Sequence, residues 1–180
     1  MHPVKALVMV AMTLGATLVG GGCAGIQGEA ADGNLPAIRQ YLDKGGDVNA
    51  RDGDRETALW HAAESGQVDA VRLLLDRGAD PNIRNEDNDL PIHRAAERGH
   101  TEVVRMLVAA GSDLTVKNDD LQQPLHLAAE SGQIEIIKAL IDAGAPVNDR
   151  DEDGDTPVTC AYKDGKVEAA DYIKGRGGRQ

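Results

Sequence analysis

Phenylalanine is absent from the 180 residues, and the other aromatics amount to one Trp and three Tyr. A compact globule usually fills its centre with large aromatic side chains. Here burial must come from Leu, Val, Ile and Ala, which suits thin helical layers better than one deep core. Cysteine is nearly absent, with Cys23 and Cys160 alone, and no His/Cys group has zinc-site spacing. Serine occurs only at 65, 112 and 131, never in a nucleophile elbow. No glycine-rich loop follows a strand in a βαβ unit, so nucleotide binding is not indicated. The one long apolar run, residues 6–19, spans 14 positions, whereas a membrane span needs about 20. Positive charge is scarce as well: 19 Lys and Arg face 30 Asp and Glu, a net charge of −11 and a pI near 4.8. Such a chain repels phosphate backbones, which argues against nucleic acid and for a protein partner with a basic surface. The length fits one domain rather than two.

The first segment reads as an address rather than as fold. Lys5 is its only charge, the apolar run follows, and Gly20, Gly21 and Gly22 precede Cys23. A basic start, a short apolar run and small residues at the cut make a secretory signal. Residues 1–23 resemble a bacterial lipoprotein signal, in which the Cys is acylated and becomes the first mature residue. Gly20 departs from that pattern, which usually has Leu three before the Cys; Leu18 lies two further back. The resemblance implies removal of residues 1–22 and lipid attachment at Cys23. Ala24 after the Cys implies the periplasmic side of the outer membrane. The alternative is ordinary cleavage nearby and a soluble periplasmic protein. Acylation of Cys23 would also leave Cys160 without a disulfide partner.

Beyond that segment the chain repeats itself every 33 residues. Thr57-Ala58-Leu59-Trp60-His61-Ala62-Ala63 is echoed by Leu90-Pro91-Ile92-His93-Arg94-Ala95-Ala96, then by Gln123-Pro124-Leu125-His126-Leu127-Ala128-Ala129. A decayed copy runs Thr156-Pro157-Val158-Thr159-Cys160-Ala161-Tyr162. Gly66, Gly99, Gly132 and Gly165 keep the register, as do Gly45, Gly78, Gly111 and Gly144. Leu59, Ala62 and Ala63 share one face of a short helix, and the Ala pairs allow close approach. Pro91, Pro124 and Pro157 sit at the first helical position, where a missing N–H costs nothing. Val68, Val71, Leu74 and Leu75, with copies in later units, make the stripe of a second helix. The glycines after each second helix suit a left-handed cap.

These motifs, with the turn Gly78-Ala79-Asp80-Pro81-Asn82, resemble the ankyrin repeat over about residues 31–174. The resemblance implies an all-α solenoid of paired antiparallel helices with short β-hairpin or turn fingers, about five repeats long. The expected division is residues 1–22 signal, 23–50 lipid attachment and an incomplete first repeat, 51–83, 84–116 and 117–149 full repeats, 150–174 a cap, and 175–180 a disordered tail. Residues 24–31 should either cap the stack or run extended as a tether. Lys174, standing where Leu75, Val108 and Ile141 stood, gives the last unit the polar face a terminal repeat must show to water. His93 and His126 should brace turns, and Trp60, in place of the motif His, should pack against the first unit.

The family's usual binding surface is the finger tips and adjoining helix ends. The matching positions are Asp54 and Glu56, then Glu86, Asp87 and Asp89, then Asp119, Asp120, Leu121 and Gln122, then Glu152, Asp153 and Asp155. Glu64, Glu97 and Glu130 extend the acidic face onto the helices. Arg51, Arg84, Lys117 and Arg150 recur at the same spacing, so a solvated charge ladder of pairs across the hairpins stands beside the partner-binding reading. Leu121 is either an apolar anchor or plain local strain. Asp149-x-Asp151-x-Asp153-Gly154 resembles the opening of a calcium loop, but Cys160 stands where the pattern needs Glu. No metal and no cofactor are expected, and with only short ends outside the repeats, no enzyme. The expected function is non-enzymatic binding of a periplasmic protein by a protein that is monomeric when unbound. It would act as an inhibitor or immunity protein of an envelope-acting enzyme, or else as a stabiliser of a stress-defence enzyme or a general envelope scaffold.

Overall fold

The structure is a computed structural model describing residues 25–180, and the signal segment and Cys23 lie outside the described residues. Ten helices follow in five pairs: α1 (Gln27–Ala31) with α2 (Leu35–Asp43), α3 (Ala58–Glu64) with α4 (Val68–Asp76), α5 (Pro91–Arg98) with α6 (Thr101–Ala109), α7 (Pro124–Ser131) with α8 (Ile134–Asp142), and α9 (Pro157–Lys163) with α10 (Val167–Gly175). Odd-numbered helices form an inner layer in which each packs on the next; even-numbered helices form an outer layer of the same kind. Among the described residues there is no strand, only one antiparallel bridge between Arg51 and Thr57. The chain is thus an all-α solenoid with turn-like fingers, and no helix among the described residues is long and apolar enough to cross a membrane.

Small residues set the spacing of the inner layer. Ala62, Ala63, Ala95, Ala96, Ala128 and Ala129 are fully buried, while Leu74, Leu107 and Leu140 fill the space between the layers. Gly66 and Gly99 are needed twice over. Each has positive φ (68° and 83°). A Cβ at Gly66 would lie 2.5 Å from the His100 ring, and one at Gly99 would lie 2.8 Å from Gln133, so each glycine leaves room for a side chain of the next unit.

The motif histidines brace turns as expected. The Leu90 N–H donates to His93 Nδ1 (3.1 Å), so the ring proton sits on Nε2 and is donated to the Val116 carbonyl (3.1 Å). His126 repeats this with the Gln123 N–H and the Asp149 carbonyl. Burial pushes the pKa of His93 down to about 4 and that of His126 in the same direction.

Of the two readings of residues 24–31, the capping one is realised: Ile26 and Ala30 are buried, α1 packs on α3, and Gln27 Nε2 donates to the Ala50 carbonyl. One expectation needs correction, and one residue makes a further contact. Trp60 is buried, and its ring also meets the Arg94 guanidinium of the following unit at 5.5 Å, a contact the sequence did not announce. The tail is not loose. Asn82 receives the Asp113 N–H and donates to the Gly111 carbonyl. One register on, Asn148 receives the Arg179 N–H (2.7 Å) and donates to the Gly177 carbonyl (3.2 Å). The last residues run where another unit's turn would run, and Gly178 closes onto Ile173 and Val158.

Candidate protein-binding site

Each finger is closed by one Asx side chain. Asp52 Oδ1 accepts the Asp54 and Glu56 N–H groups; Asn85 Oδ1 accepts those of Asp87 and Asp89. Asn118 Oδ1 and Asp151 Oδ1 accept the N–H groups of Gln122 and Asp155. Arg55, Asn88, Leu121 and Gly154 then turn the chain at positive φ. Single backbone bonds join neighbouring tips: Glu86 N–H to the Asp54 carbonyl, Asp119 to Asp87 and Glu152 to Asp120, each at 3.0–3.1 Å. The tips are therefore held in a row.

The sequence-derived acids divide into two groups. Asp54, Glu86, Asp87, Asp119, Asp120, Glu152 and Asp153 are exposed and form no ion pair among the described residues. The acids that meet a partner lie deeper: Asp89 pairs with Arg94 at 3.8 Å and Asp155 with Lys163, while Asp52 and Glu56 face the His61 imidazole at 2.7 and 3.3 Å. Arg51, Arg84, Lys117 and Arg150 do not neutralise the tips; Lys117 donates to the Arg150 carbonyl, and Arg150 to that of Gly154. Nor does the calcium-like stretch converge on one point. Asp149 accepts from Gln123, and Asp151 is occupied by Asp155 N–H and the Cys160 thiol. Burial pushes the Cys160 thiol pKa up, which keeps it protonated.

Between the third and fourth units the structure brings Asp87, Asp89, Asp119, Asp120 and Gln122 around a cleft of about 330 Å³. Glu97 and Glu130 line its helix side with Leu127, so six acids face one base, Arg94. Asp54, Glu56, Glu86, Glu152, Asp153 and Asp155 lie outside it, and Leu121, 46% exposed, stands on the rim finger. Asp89 is 5% exposed and one of its carboxylate oxygens has no hydrogen-bond partner. Burial lifts its pKa to about 6 against the pull of the Arg94 charge. Arg94 is itself committed to Glu97 (2.6 Å). Leaving a buried acceptor unpaired costs about 1–3 kcal/mol, and a cation entering the cleft would remove that cost.

Arg94, Asn118 and Leu127 were not foreseen. The signal for two of them was the unspecified place in the repeated motif, between the His position and the Ala pair, where the units differ most.

A family model described as Ankyrin repeats (3 copies) matches residues 28–118 and 112–178. No curated protein matches the sequence.

Proposed function

The chain belongs to the ankyrin-repeat family, and on that premise we propose that it binds a periplasmic protein through its acidic finger face, held at the membrane by a lipid on Cys23. Ankyrin repeats are protein–protein interaction modules, typically non-enzymatic. The observation that carries the basic-partner reading is the cleft beside Asp89: six acids, one base and a buried carboxylate oxygen with no partner. Its occupant is a lysine or arginine side chain of the partner, which would meet the buried Asp89 carboxylate there. The unpaired tips on either side steer the partner in and disfavour acidic proteins. An envelope-acting enzyme with a basic active-site cleft fits this face, and covering it would make the chain an inhibitor or immunity protein. Anchoring raises its effective concentration for partners at the membrane.

The test is parallel capture from envelope extract by the wild type and an Asp87→Asn/Asp119→Asn/Asp120→Asn variant over a salt series. The partner should be lost from the variant, and wild-type capture should fall with salt. Equal capture by both proteins at every salt concentration would reject the acidic face. Cys23→Ser should move the protein from the membrane to the soluble fraction; if it stays membrane-bound, acylation is wrong.

A further inference from the structure

A second constellation lies one unit earlier and does not depend on the proposed partner. His61 Nε2 is 2.7 Å from Asp52 Oδ2 and 3.3 Å from Glu56 Oε2, and the three donor atoms lie within 4.8 Å of one another. In a tetrahedral ion site with arms of about 2.0–2.1 Å, neighbouring donors stand about 3.3 Å apart. Of the three edges, His61–Glu56 is already at that length, His61–Asp52 is shorter and would open by a small rotation of the imidazole, and the edge between the two carboxylate oxygens lies within 4.8 Å. The remaining oxygens are held by other groups. Asp52 Oδ1 accepts two finger N–H groups, and Glu56 Oε1 accepts Asn85 Nδ2 from the next unit at 3.2 Å. Oxygens pinned in this way leave Oδ2 and Oε2 to face His61, which is how outer-shell bonds orient metal ligands.

The other units show what these three positions hold when the charge is settled. One register on they are Asn85, Asp89 and Arg94, where a guanidinium supplies the cation. Two on they are Asn118, Gln122 and Leu127, with no charge at all. In the last unit they are Asp151, Asp155 and Cys160, where Lys163 pairs with Asp155 and the thiol donates to Asp151. Only the Asp52 unit sets two carboxylates against an imidazole with no Lys or Arg bonded to them among the described residues.

We propose that Asp52 Oδ2, Glu56 Oε2 and His61 Nε2 bind a divalent transition-metal ion of the zinc class, with solvent as fourth ligand. Two carboxylates cancel the charge of the ion, and the borderline imidazole favours zinc-like metals over calcium, which takes six to eight oxygens. The side chains are 28%, 13% and 23% exposed, so the ion has a way in and keeps an open position. On binding, the proton that Nε2 shares with Asp52 shifts to Nδ1 or leaves to solvent, freeing the lone pair.

Trp60 is the only tryptophan, and its ring stands edge-on to His61 with centroids 5.2 Å apart. Zinc chloride titrated into the chelator-treated full chain should therefore change tryptophan emission. Two variants remove ligands yet copy residues the fold already accepts: Asp52→Asn with Glu56→Gln reproduces Asn118 and Gln122, and His61→Leu reproduces Leu127. Each should weaken zinc binding at least about tenfold by calorimetry while the helical circular dichroism is unchanged. Cys160→Ser, which breaks the other ligand-like group of Glu130, Asp151 and Cys160, should leave the emission change intact. Equal zinc affinity in the wild type and the Asp52→Asn/Glu56→Gln variant, or no emission change up to about millimolar zinc, would overturn the site.

Discussion

Ala62, Ala95, Ala128 and Ala161 stand one unit apart on the inner helices, and all are fully buried. The residues just before them in sequence are His61, Arg94, Leu127 and Cys160, which share neither charge nor shape. The alanines face the neighbouring inner helix, where every unit meets the same packing problem and only a small side chain solves it. The preceding position looks into the groove between helix and finger, where stacking makes no demand. Packing fixes the first register and leaves the second open. The chemistry collects in the second: an imidazole between two carboxylates, a guanidinium beside a buried acid, and a thiol held by Asp151.

The sharpest way to separate the two registers is to damage the packed one. Ile137 in α8 is fully buried in the shared core. Ile137→Ala should cost about 3–4 kcal/mol through lost transfer energy and the cavity left behind. In a stack each unit leans only on its neighbours, so the loss should appear in the cooperative urea transition as a lower midpoint. A change under about 1 kcal/mol would mean that the layers repack freely and the core is not specific.

The groove that the open register faces should respond with the opposite sign at Asp89, which lies against Arg94 and whose carboxyl is kept buried at a cost to the fold. Its folded pKa, about 6, lies above the ordinary 3.8. The folded chain therefore takes that proton first, and stability from this group rises as pH falls from about 6 towards 4. His93 acts in reverse. Its folded pKa, about 4, lies below the usual 6.5, so the unfolded chain takes the proton first, and stability present above 6.5 is lost as pH falls towards 4. The two opposing effects offset each other over the shared window. Asp89→Asn should raise stability at pH 7 by about 1–2 kcal/mol, less than the proton linkage alone implies because Arg94 loses its counter-charge. It should also steepen the loss between pH 6.5 and 4, read by denaturant melts across pH. A flatter acid profile than wild type would show that Asp89 is not held in this state.

The same division explains what could be read in advance. The 33-residue period, the Ala pairs and the turn glycines announced the solenoid because each is required by packing. Acidity of the fingers was equally plain. The burial of Asp89 was not, because the matching positions Glu56, Gln122 and Asp155 have the same place in the finger but different neighbours on the helix. Arg94 sits at the one motif place that carries no rule. The tail misled because its glycines and charges look like loose chain; yet Gly177 lies 33 residues after Gly144, and Asn148 receives Arg179 as Asn82 receives Asp113.

Leu121 gives the smallest expected effect on stability and bears most directly on why the open register is open. It turns its finger at φ +57°, where Gly154 does the same work in the next unit, and it leaves 46% of itself in solvent. A left-handed backbone costs an ordinary L-residue about 1–2 kcal/mol, whereas glycine adds back about 0.5–1 kcal/mol of unfolded-chain entropy. Leu121→Gly should therefore stabilise the fold by about 0.5–1 kcal/mol. If the leucine is tolerated only by accident, the variant should capture the partner as well as wild type does. If it is the apolar anchor that an otherwise charged face needs, the more stable variant should bind at least about tenfold more weakly, chiefly through faster dissociation. Stability and capture moving in opposite directions in one variant is a result that neither packing nor charge alone produces.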